Sequence, residues 1–351
     1  MAALRLAPVA VTNIRKERAM SQLVAVRNAS RTANSTQWWH LSLFTGGFDV
    51  ADGIIEDLVT PLAAQAQLLG ASRWFFTRGE EPTVPQVRLH VLASPAAIAS
   101  LQTSLATFRA RATAGDLGGA NPSAVAGLHV RQYLSSPAGS QLPPGSDKSS
   151  GNEIRRKLEA DLEKYGGVAG LQLAEEVFEL SSELASWASR RFPKMHNRSA
   201  FGALILFDSA RSMMKGPRSA GWPDRRRISW DFYWNSHLRT CTADLGPRAV
   251  GVREALAAQV EVRASAFHGL MAATAAESAA HNWRRRWSRG IDNYLYRADK
   301  AQVSRSAQHL TVYQAHLTLN RLGFSTREEA VLGLYARSWG IERESPTYRQ
   351  N

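Results

Sequence analysis

The chain has 351 residues, 44% of them hydrophobic, which is enough to bury a large core in one domain or two. Its 43 Lys and Arg outnumber 30 Asp and Glu, and the formal net charge of +13 favours polyanions or acidic peptides as partners. One cysteine, Cys241, excludes an intramolecular disulfide, and the lack of a signal region or of roughly 18–20 consecutive apolar residues predicts a cytoplasmic protein without a membrane span.

Clear periodicity begins at Trp38, after a basic, weakly periodic segment over residues 1–36. Alternating apolar residues predict strands, and apolar residues every three or four positions predict helices. In chain order, the front half is predicted to contain strand Trp38–Phe44, helix Ile54–Leu69, strands Arg73–Arg78 and Val87–Leu92, a helix from Pro95 to about Ala114, and strand Gly127–Tyr133.

The stretch between Leu134 and Gly151 is rich in Ser, Pro and Gly, a composition typical of an exposed loop. Beyond it, helices are predicted at Ala174–Arg191, Ala200–Met214, Arg248–Ala279 and Arg327–Ser338. The predicted fold class is therefore α+β, with a small mixed or antiparallel sheet in the front half packed with a mostly helical C-terminal half. We expect residues 37–351 to form one domain with an exposed loop at 135–151, preceded by a segment at 1–36 that is either partly disordered or a short strand at the sheet edge.

Three separated segments carry motifs. The first contains Trp-Phe-Phe-Thr-Arg at 74–78 and Gln-Val-Arg-Leu-His at 86–90. The second contains Lys-Tyr-Gly-Gly at 164–167, followed by Glu-Glu-Val-Phe-Glu-Leu-Ser at 175–181. The third is His-Leu-Thr-Leu-Asn-Arg-Leu-Gly at 316–323. In this order, the segments resemble the elimination domain of lanthipeptide dehydratases, also found as the thiopeptide-type bacteriocin biosynthesis domain.

The resemblance spans most of the chain and implies the fold of that elimination domain and a modified ribosomal peptide as the substrate. The matching positions are Arg78, Pro82, Arg88, Tyr165, Gly166, Gly167, Glu175, Phe178, Ser181 and His316. Structural explanations exist beside the functional ones. A Tyr-Gly-Gly segment is typical of a helix C-cap followed by a tight turn, and a histidine on a helix face is often part of the core.

Several positions depart from the family pattern. Where the family has His-x-Arg-Leu-Arg, Gln86 and His90 stand at the first and last positions. Where the family has Glu-x-x-Arg before Tyr-Gly-Gly, this chain has Asp161 and Lys164, and Gly79 replaces a family tyrosine. Lysine offers a point charge where arginine offers a planar fork that fits a carboxylate. The groups that would hold a glutamyl adduct for elimination are thus incomplete.

The same scaffold serves thiopeptide pyridine synthases, and the resemblance with its departures favours their reaction. These enzymes join two dehydroalanines in a formal aza-[4+2] cycloaddition, which forms the central pyridine and macrocycle, and expel water and the leader peptide. The reaction needs an amide tautomerised to an iminol and protons for the leaving hydroxyl and the leader carboxamide. Holding two ends of one peptide at bonding distance supplies much of the rate. Such chemistry needs no metal or other cofactor, and we predict none.

The segment just before the third motif supplies candidate catalytic groups. We predict that Tyr294 assists tautomerisation and that Ser288 orients the iminol or the hydroxyl. The two lie nearly two helical turns apart and could share one wall of a pocket. His316, with Tyr313 one helical turn earlier, is predicted to relay the proton.

The basic charge predicts capture of an acidic leader, with the azole- and dehydroalanine-containing core peptide lying against aromatic surfaces. The predicted substrate- and leader-binding residues are Arg78, Arg88, Trp283, Arg284, Arg285, Trp287 and Tyr296. Arg225–Arg227 with Trp230, Tyr233 and Trp234 form a further candidate surface. The structural alternative is that the aromatic residues of 283–296 belong to the core and that the arginines at 284–286 form a solvated face.

Three function classes follow from the sequence. The first is a pyridine-forming cyclase, which we favour, and the second is a stand-alone glutamate-elimination component of a split tRNA-dependent peptide dehydratase. The third is a non-catalytic peptide or nucleic-acid binder. The charge and the ten Trp fit nucleic acid, but no zinc-finger, RRM-like or helix-turn-helix signature accompanies them. We expect a monomer or homodimer without a membrane partner.

Overall fold

Four strands of the front half form one antiparallel sheet. The computed structural model describes residues 36–45, 50–79, 85–113, 128–135, 137, 158–218 and 228–339. The strands are β1 (Gln37–Phe44), β2 (Arg73–Arg78), β3 (Gln86–Ala93) and β4 (His129–Ser135), in the order β2-β3-β1-β4. All three pairings are antiparallel. This sheet and the helices that follow confirm the predicted α+β class.

The alternation of the strand residues separates an apolar face from a polar face. Trp39, Leu41 and Leu43 of β1 are fully buried, and their ladder partners Leu89 and Val91 on β3 share that face. The front-half helices belong to the same core cluster: α1 (Ala51–Ile54), a π-helical turn (Ile55–Val59), α2 (Thr60–Leu68) and α3 (Pro95–Thr113). The opposite face of the sheet carries polar and aromatic side chains and is not covered by these helices.

A continuous helix over residues 51–68 contains the π-helical turn at Ile55–Val59. That turn comes just before Pro61, in the first turn of α2. Proline has no N–H to donate and its ring crowds the preceding turn, so a locally wider turn accommodates it. The predicted helix at Ile54–Leu69 is thus present but begins three residues earlier.

The rear half is helical. After a helical stretch at residues 158–165, the helices are α4 (Val168–Arg191), α5 (Met195–Lys215), α6 (Trp230–Cys241), α7 (Ala249–Ala276), α8 (Ser278–Lys300), α9 (Ala307–Arg321) and α10 (Thr326–Ser338). A 3-10 turn, Ala243–Arg248, joins α6 to α7. Of the helices in the described ranges, none is both long and apolar enough to span a membrane.

Helix α5 runs through the centre of the helical half and is buried almost continuously along its middle. Two of its buried polar residues take partners from α8. The Arg284 guanidinium donates to both carboxylate oxygens of Asp208, at 2.8 and 2.9 Å. The Trp287 indole N–H donates to the Ser209 hydroxyl at 2.9 Å. These bonds satisfy groups that would otherwise be costly to bury and fix α8 against α5.

Helices α4 and α9 close the outer edge of β2. The Phe76 N–H donates to the Ser182 hydroxyl at 3.1 Å, and the Phe76 carbonyl accepts from Arg321 Nε at 2.6 Å. The Arg78 N–H donates to the Asn320 side-chain oxygen at 3.1 Å. Backbone groups at a sheet edge need such partners when they are buried. Asn320 and Arg321 of the third motif therefore join the sheet to the helices.

A partly buried ion-pair network makes a second junction between the two halves. Asp52 pairs with Arg78 through one oxygen and with Arg198 through the other, the latter at 2.8 Å. Arg78 Nε donates to the Arg321 carbonyl at 3.0 Å, and Arg198 donates to the Leu322 carbonyl at 3.2 Å. Burial alone would raise the pKa of Asp52, but the two guanidinium groups lower it below its ordinary value.

Two helix predictions need correction. Helix α6 (Trp230–Cys241) was not predicted. The single helix predicted at Arg248–Ala279 is two helices, because Glu277 adopts extended backbone with ψ 124° and separates α7 from α8. Residues 1–35 and 138–157 lie outside the described residues, as do the expectations for the N-terminal segment and most of the loop at 135–151.

Candidate active site

One row of rings crosses the polar face of the sheet. Phe75, His90, His40 and Tyr133 are ladder partners across all four strands, so their side chains share that face. Phe75 stacks on His90 with ring centroids 4.6 Å apart, and His40 stacks on Tyr133 at 4.4 Å. The row forms a flat aromatic surface on the side of the sheet that faces away from the front-half helices.

The helices extend this surface into a floor. Phe75 contacts Phe178 of α4 with centroids 5.1 Å apart, and Phe178 contacts Tyr165 at 5.5 Å. Tyr165 in turn faces Tyr313 of α9 at 6.3 Å, and the Arg321 guanidinium lies 5.1 Å from the Phe178 ring centroid. The three motifs, far apart in sequence, therefore meet at one place.

The Tyr-Gly-Gly turn explains how Tyr165 reaches this floor. Gly166 and Gly167 have φ angles of +75° and +100°, in the left-handed region that favours glycine. The turn separates the helical stretch at 158–165 from α4 and leaves Tyr165 almost fully buried between them. A side chain at Gly166 would also come within 2.8 Å of Val303. The glycines therefore have a structural function, and the ring they position is part of the site.

His40 and His90 form a direct pair within the aromatic row. Their Nδ1 atoms are 2.7 Å apart, and His40 Nε2 is 2.7 Å from the Ser135 hydroxyl. Two nitrogens at this distance share one proton, donated by one ring and accepted by the other. Stacking on Phe75 and the bond to His40 fix His90, which occupies the position of the family's last arginine. Arg88, two residues earlier on the same face, donates to the Gln86 side chain at 3.1 Å.

A cavity of about 650 Å³ opens at the edge of this face, between α4 and α8. Its lining includes Trp38, Arg73, Glu175, Tyr296, Arg297 and Lys300. Burial raises the pKa of Glu175 to about 7; Arg73 opposes the shift and Asp161 adds to it. A carboxyl group that titrates near neutral pH inside a cavity is well suited to donate or accept a proton.

A second cavity, of about 640 Å³, lies beside the first and shares Leu173, Glu176 and Arg297 with it. Tyr294 forms part of its wall. Burial raises the pKa of Tyr294 above its ordinary value, and the neighbouring Gln314 side chain of α9 opposes the shift. The Tyr294 hydroxyl is therefore neutral at physiological pH and faces the junction of α4, α8 and α9.

The structure does not bring Ser288 and Tyr294 to a common wall. Tyr294 lies on the buried stripe of α8 together with Trp287 and Ile291. Six residues correspond to about 600° of helical rotation, so Ser288 points about 120° away from Tyr294. Ser288 is half-buried and lines neither of the two cavities. The predicted shared wall is therefore not supported by this geometry.

His316 and Tyr313 lie on one face of α9. The Tyr313 ring contacts the Lys164 ammonium at 4.3 Å and the His309 ring at 4.4 Å. His316 is 31% exposed, and its Nδ1 is 2.6 Å from Glu329 Oε2. On the same face of α9, Asn320 accepts a hydrogen bond from the Arg78 N–H of β2, and Tyr313 contacts Tyr165 of the aromatic floor. The two predicted relay residues are therefore neighbours, each with its own set of contacts.

His237, Cys241 and Glu329 form a buried cluster whose donor atoms lie within 4.8 Å of one another. The Cys241 sulfur is 3.8 Å from Nε2 and 3.9 Å from Nδ1 of His237. Nearly equal distances place the sulfur beside the ring, whereas ligands of one metal ion would converge in line with a single ring nitrogen. The geometry is that of a hydrogen-bonded cluster around the Glu329 carboxylate.

Three of the predicted substrate-binding residues are occupied by structural contacts. Arg78 is held by Asp52 and the Arg321 carbonyl, and Arg284 by Asp208. Trp287 is fully buried. Arg284 is buried and the Arg78 side chain is 11% exposed, so these contacts give all three side chains a structural role, and their contact with substrate or leader stays a prediction.

The other four predicted binding residues are accessible. Tyr296 is 38% exposed, and Arg218 and Lys300 each lie 5.7 Å from its ring centroid. Trp283 is half-buried beneath Arg286, whose guanidinium carbon is 4.8 Å from the Trp283 ring centroid. Arg285 is exposed and Arg88 is partly exposed. Their contact with a peptide stays a prediction.

The second candidate peptide surface is not supported. Tyr233 and Trp234 are buried between α6 and its neighbours, and Trp230 donates its indole N–H to the Arg337 carbonyl at 3.0 Å. Arg225–Arg227 lie outside the described residues.

Sequence reasoning missed Glu175, His40 and Glu329 as members of the site. Glu175 was identified as a motif match, but the cavity around it is formed with residues of α8 and the sheet edge, which are far from it in the sequence. His40 alternates with buried residues of β1, and this alternation predicted that His40 lies on the polar face of the sheet. It did not predict that His90 is its partner. Glu329 resembles an ordinary charge in the first turn of a helix, and only the packing of α10 on α6 and α9 buries it.

A family model described as the C-terminal part of lantibiotic biosynthesis dehydratases matches residues 38–339. Among solved structures, TsrL is similar with a TM-score of 0.52 at 16% identity, covering 86% of this chain and 94% of TsrL. The pyridine synthase TbtD from thiomuracin biosynthesis gives 0.51 at 18% identity, covering 86% of this chain and 97% of TbtD. At these identities the likeness establishes the fold. No sequence among the curated proteins matches the chain.

Proposed function

Because the chain belongs to the family of lantibiotic biosynthesis dehydratase C-terminal domains, we propose that it is an enzyme that modifies a ribosomally made precursor peptide. The reaction we propose is the formal aza-[4+2] cycloaddition of two dehydroalanines. It forms the central pyridine and the macrocycle and releases water and the leader peptide. The fold shared with the pyridine synthase TbtD and with TsrL is consistent with this proposal.

The state of His90 is the observation that carries the proposal. An eliminating enzyme of this family is expected to present arginine forks to a glutamyl carboxylate. Here His90 is tied to His40 at 2.7 Å and stacked on Phe75, and Lys164 lies over the Tyr313 ring. His90 is itself buried, so this position lacks the planar cation that the family pattern has there, and Lys164 offers only a point charge, which disfavours a substrate held through a carboxylate.

We assign the first proton transfers of this reaction to Tyr294 and Glu175. Tyr294, neutral in its cavity wall, donates its proton to the amide oxygen and takes up the N–H proton of the same amide, which thereby becomes an iminol. After the six-membered ring closes, protonated Glu175 gives its proton to the hydroxyl, which leaves as water, and the carboxylate takes back the proton that the ring carbon loses. His316, with Tyr313 beside it, gives a proton to the departing leader carboxamide and takes up the proton that the adjacent ring carbon loses in this step. Ser288 has no role in this scheme.

Glutamate elimination is the second candidate function. Arg88 is kept on the polar face, and Arg73 lies near the cavity that holds Glu175, so two cations could still contact an anionic adduct. The chain would then act as the stand-alone elimination component of a split dehydratase. The two functions differ in the mass of their products.

The deciding experiment is incubation of the purified chain with synthetic precursors, followed by mass spectrometry. With a dehydrated linear precursor, we expect a macrocycle lighter by water and by the leader, and the free leader as a C-terminal amide. A glutamylated precursor that loses glutamate would instead establish the elimination function. Inertness toward both would contradict the proposal and leave a peptide-binding function.

The same assay tests Tyr294. We expect Tyr294→Phe to lower kcat for macrocycle formation by about 100-fold, because the ring still fills the wall but has no hydroxyl to donate. Ser288→Ala is the matched control on the same helix, with activity near that of the wild type. Equal rates for Tyr294→Phe and wild type would remove Tyr294 from the mechanism.

We also propose that exposed cations of α8, among them Arg285 and Arg289, attract the acidic leader. Raising salt from about 0.05 to about 0.5 M should then weaken binding of a leader-bearing precursor much more than binding of the core peptide alone, because exposed charges are screened. Titration calorimetry or fluorescence anisotropy with both peptides measures the difference. An affinity for the leader-bearing peptide that does not depend on salt would contradict capture by charge.

A further inference from the structure

Glu329 is a buried carboxylate held between two imidazoles. Its Oε2 is 2.6 Å from His316 Nδ1, and its Oε1 is 3.1 Å from His237 Nε2. Glu329 and His237 are almost fully buried, whereas His316 is 31% exposed. Three helices contribute one residue each, α6, α9 and α10, so the arrangement depends on the tertiary packing.

The carboxylate is ionised in this environment. Burial alone would raise the pKa of Glu329, but the hydrogen bonds from His237 and His316 lower it to about 2. An ionised carboxylate only accepts hydrogen bonds, so His316 must carry a proton on Nδ1. In its neutral form, His316 then has Nε2 as the basic nitrogen, and a second proton would produce an imidazolium beside a buried negative charge.

The surrounding packing holds Glu329 in place. Helix α10 approaches α6 so closely at Gly333 that an added Cβ would lie 2.7 Å from the His237 ring. A larger residue there would push His237 and the Glu329 oxygen it contacts. His237 therefore fixes one end of the carboxylate, and the other end is left to orient the exposed ring of His316.

We propose that Glu329 is the positioning residue of His316: it selects the Nδ1–H tautomer, orients the ring toward the site and stabilises the imidazolium when His316 carries a second proton. The proposal rests on the proposed function only in assigning His316 to proton transfer. His316 lies on the same face of α9 as Tyr313 and Asn320, at i−3 and i+4, and both of these contact the floor or the edge of β2. The exposed side of His316 therefore lies on the face of α9 that Tyr313 connects to the aromatic floor.

The first test reads the tautomer directly, without any reaction. Nitrogen-15 NMR of the histidine rings in the full-length wild type, assigned with His316→Gln, should show the His316 proton on Nδ1 above the pH at which the ring is charged. In Glu329→Gln this preference should weaken, because a neutral amide can also donate. A His316 ring protonated on Nε2 in the wild type would overturn the proposal, whatever reaction the protein performs.

The second test reads catalysis with the dehydrated precursor. Glu329→Gln should lower kcat by about 10–100-fold and change KM by less than about twofold, as expected for a partner that orients a reacting group without touching the substrate. Glu329→Asp should restore part of kcat. Thermal melting of each variant shows whether it is folded. If Glu329→Gln does not fold, the kcat of Glu329→Asp and the His316 tautomer of the wild type still test the proposal.

The two tests separate the proposals. A wild type that forms no macrocycle but shows the Nδ1 tautomer contradicts the proposed function and leaves the Glu329 inference standing. An active wild type in which folded Glu329→Gln keeps full kcat overturns the inference and leaves the proposed function standing.

Discussion

Replacing Arg284 with alanine should lower the free energy of unfolding by about 3–5 kcal/mol. Arg284 donates to both oxygens of Asp208 at 2.8 and 2.9 Å, and both side chains are buried. Without the guanidinium, Asp208 keeps a negative charge in the core of the helical half, or takes up a proton at a cost. Denaturant unfolding at pH 7 measures the loss as a lower midpoint at unchanged slope.

Two variants show that the loss comes from the unpaired charge. Arg285→Ala removes the exposed neighbour and should change stability by no more than about 0.5 kcal/mol. The double variant Arg284→Met with Asp208→Leu should recover most of the stability, because it replaces a buried ion pair by apolar groups. An Arg284→Ala variant as stable as the wild type, with weakened leader binding, would instead support the leader contact predicted from the sequence.

The three consecutive arginines at 284–286 show what the sequence could and could not specify. Successive helix residues point about 100° apart, so the three cannot share one function. The buried residues Trp287, Ile291 and Leu295 define a stripe whose next member toward the N-terminus is Arg284, and this spacing is visible in the sequence. The partner was not visible, because Asp208 lies on another helix and looks like any charged residue in an apolar run.

The sheet was the most predictable part of the fold. Alternation over Trp38–Phe44 and Arg73–Arg78 predicted both strands, since a half-buried strand needs a period of two. Helix α6 was missed because its aromatic residues favour strands, although Ser229 and Asp231 provide a helix start signal that the structure uses: Ser229 accepts from the Phe232 N–H.

The site was predictable as a set of motifs but not as a set of contacts. The ordered motifs indicated that residues near 75, 165, 178 and 316 belong together, and the aromatic floor brings the first three into contact. The His40–His90 pair depends on the register of β1 against β3, which a one-residue slip would abolish. The contact between His316 and Glu329 depends on the turn at Gly323, with φ +93°, which folds α10 back along α9.

Glu175→Gln should lower macrocycle formation by about 100-fold or more while leaving the protein at least as stable as the wild type above pH 7. The amide keeps the size of the side chain but cannot donate a proton to the leaving hydroxyl. Wild-type activity should fall as pH rises through about 7, where Glu175 loses its proton, and the residual activity of the variant should lack that limb. Initial rates at about nine pH values between pH 5 and 9 measure both the loss of activity and the missing limb.

The stability half of this prediction follows from the sign of the pKa shift. The folded-state pKa of Glu175, about 7, lies above the ordinary value of 4.5, so the folded protein retains a proton that the unfolded chain releases between these values. Stability contributed by this group is present below pH 4.5 and is lost as pH rises through 7. Glutamine has no such loss, so the melting temperature of Glu175→Gln should rise relative to the wild type with pH.

Glu183→Gln is the control and should show neither effect, because Glu183 lies two turns later on α4, in an ion pair with Arg286. A Glu175→Gln variant that retains full activity would exclude Glu175 as the acid, whatever its melting temperature.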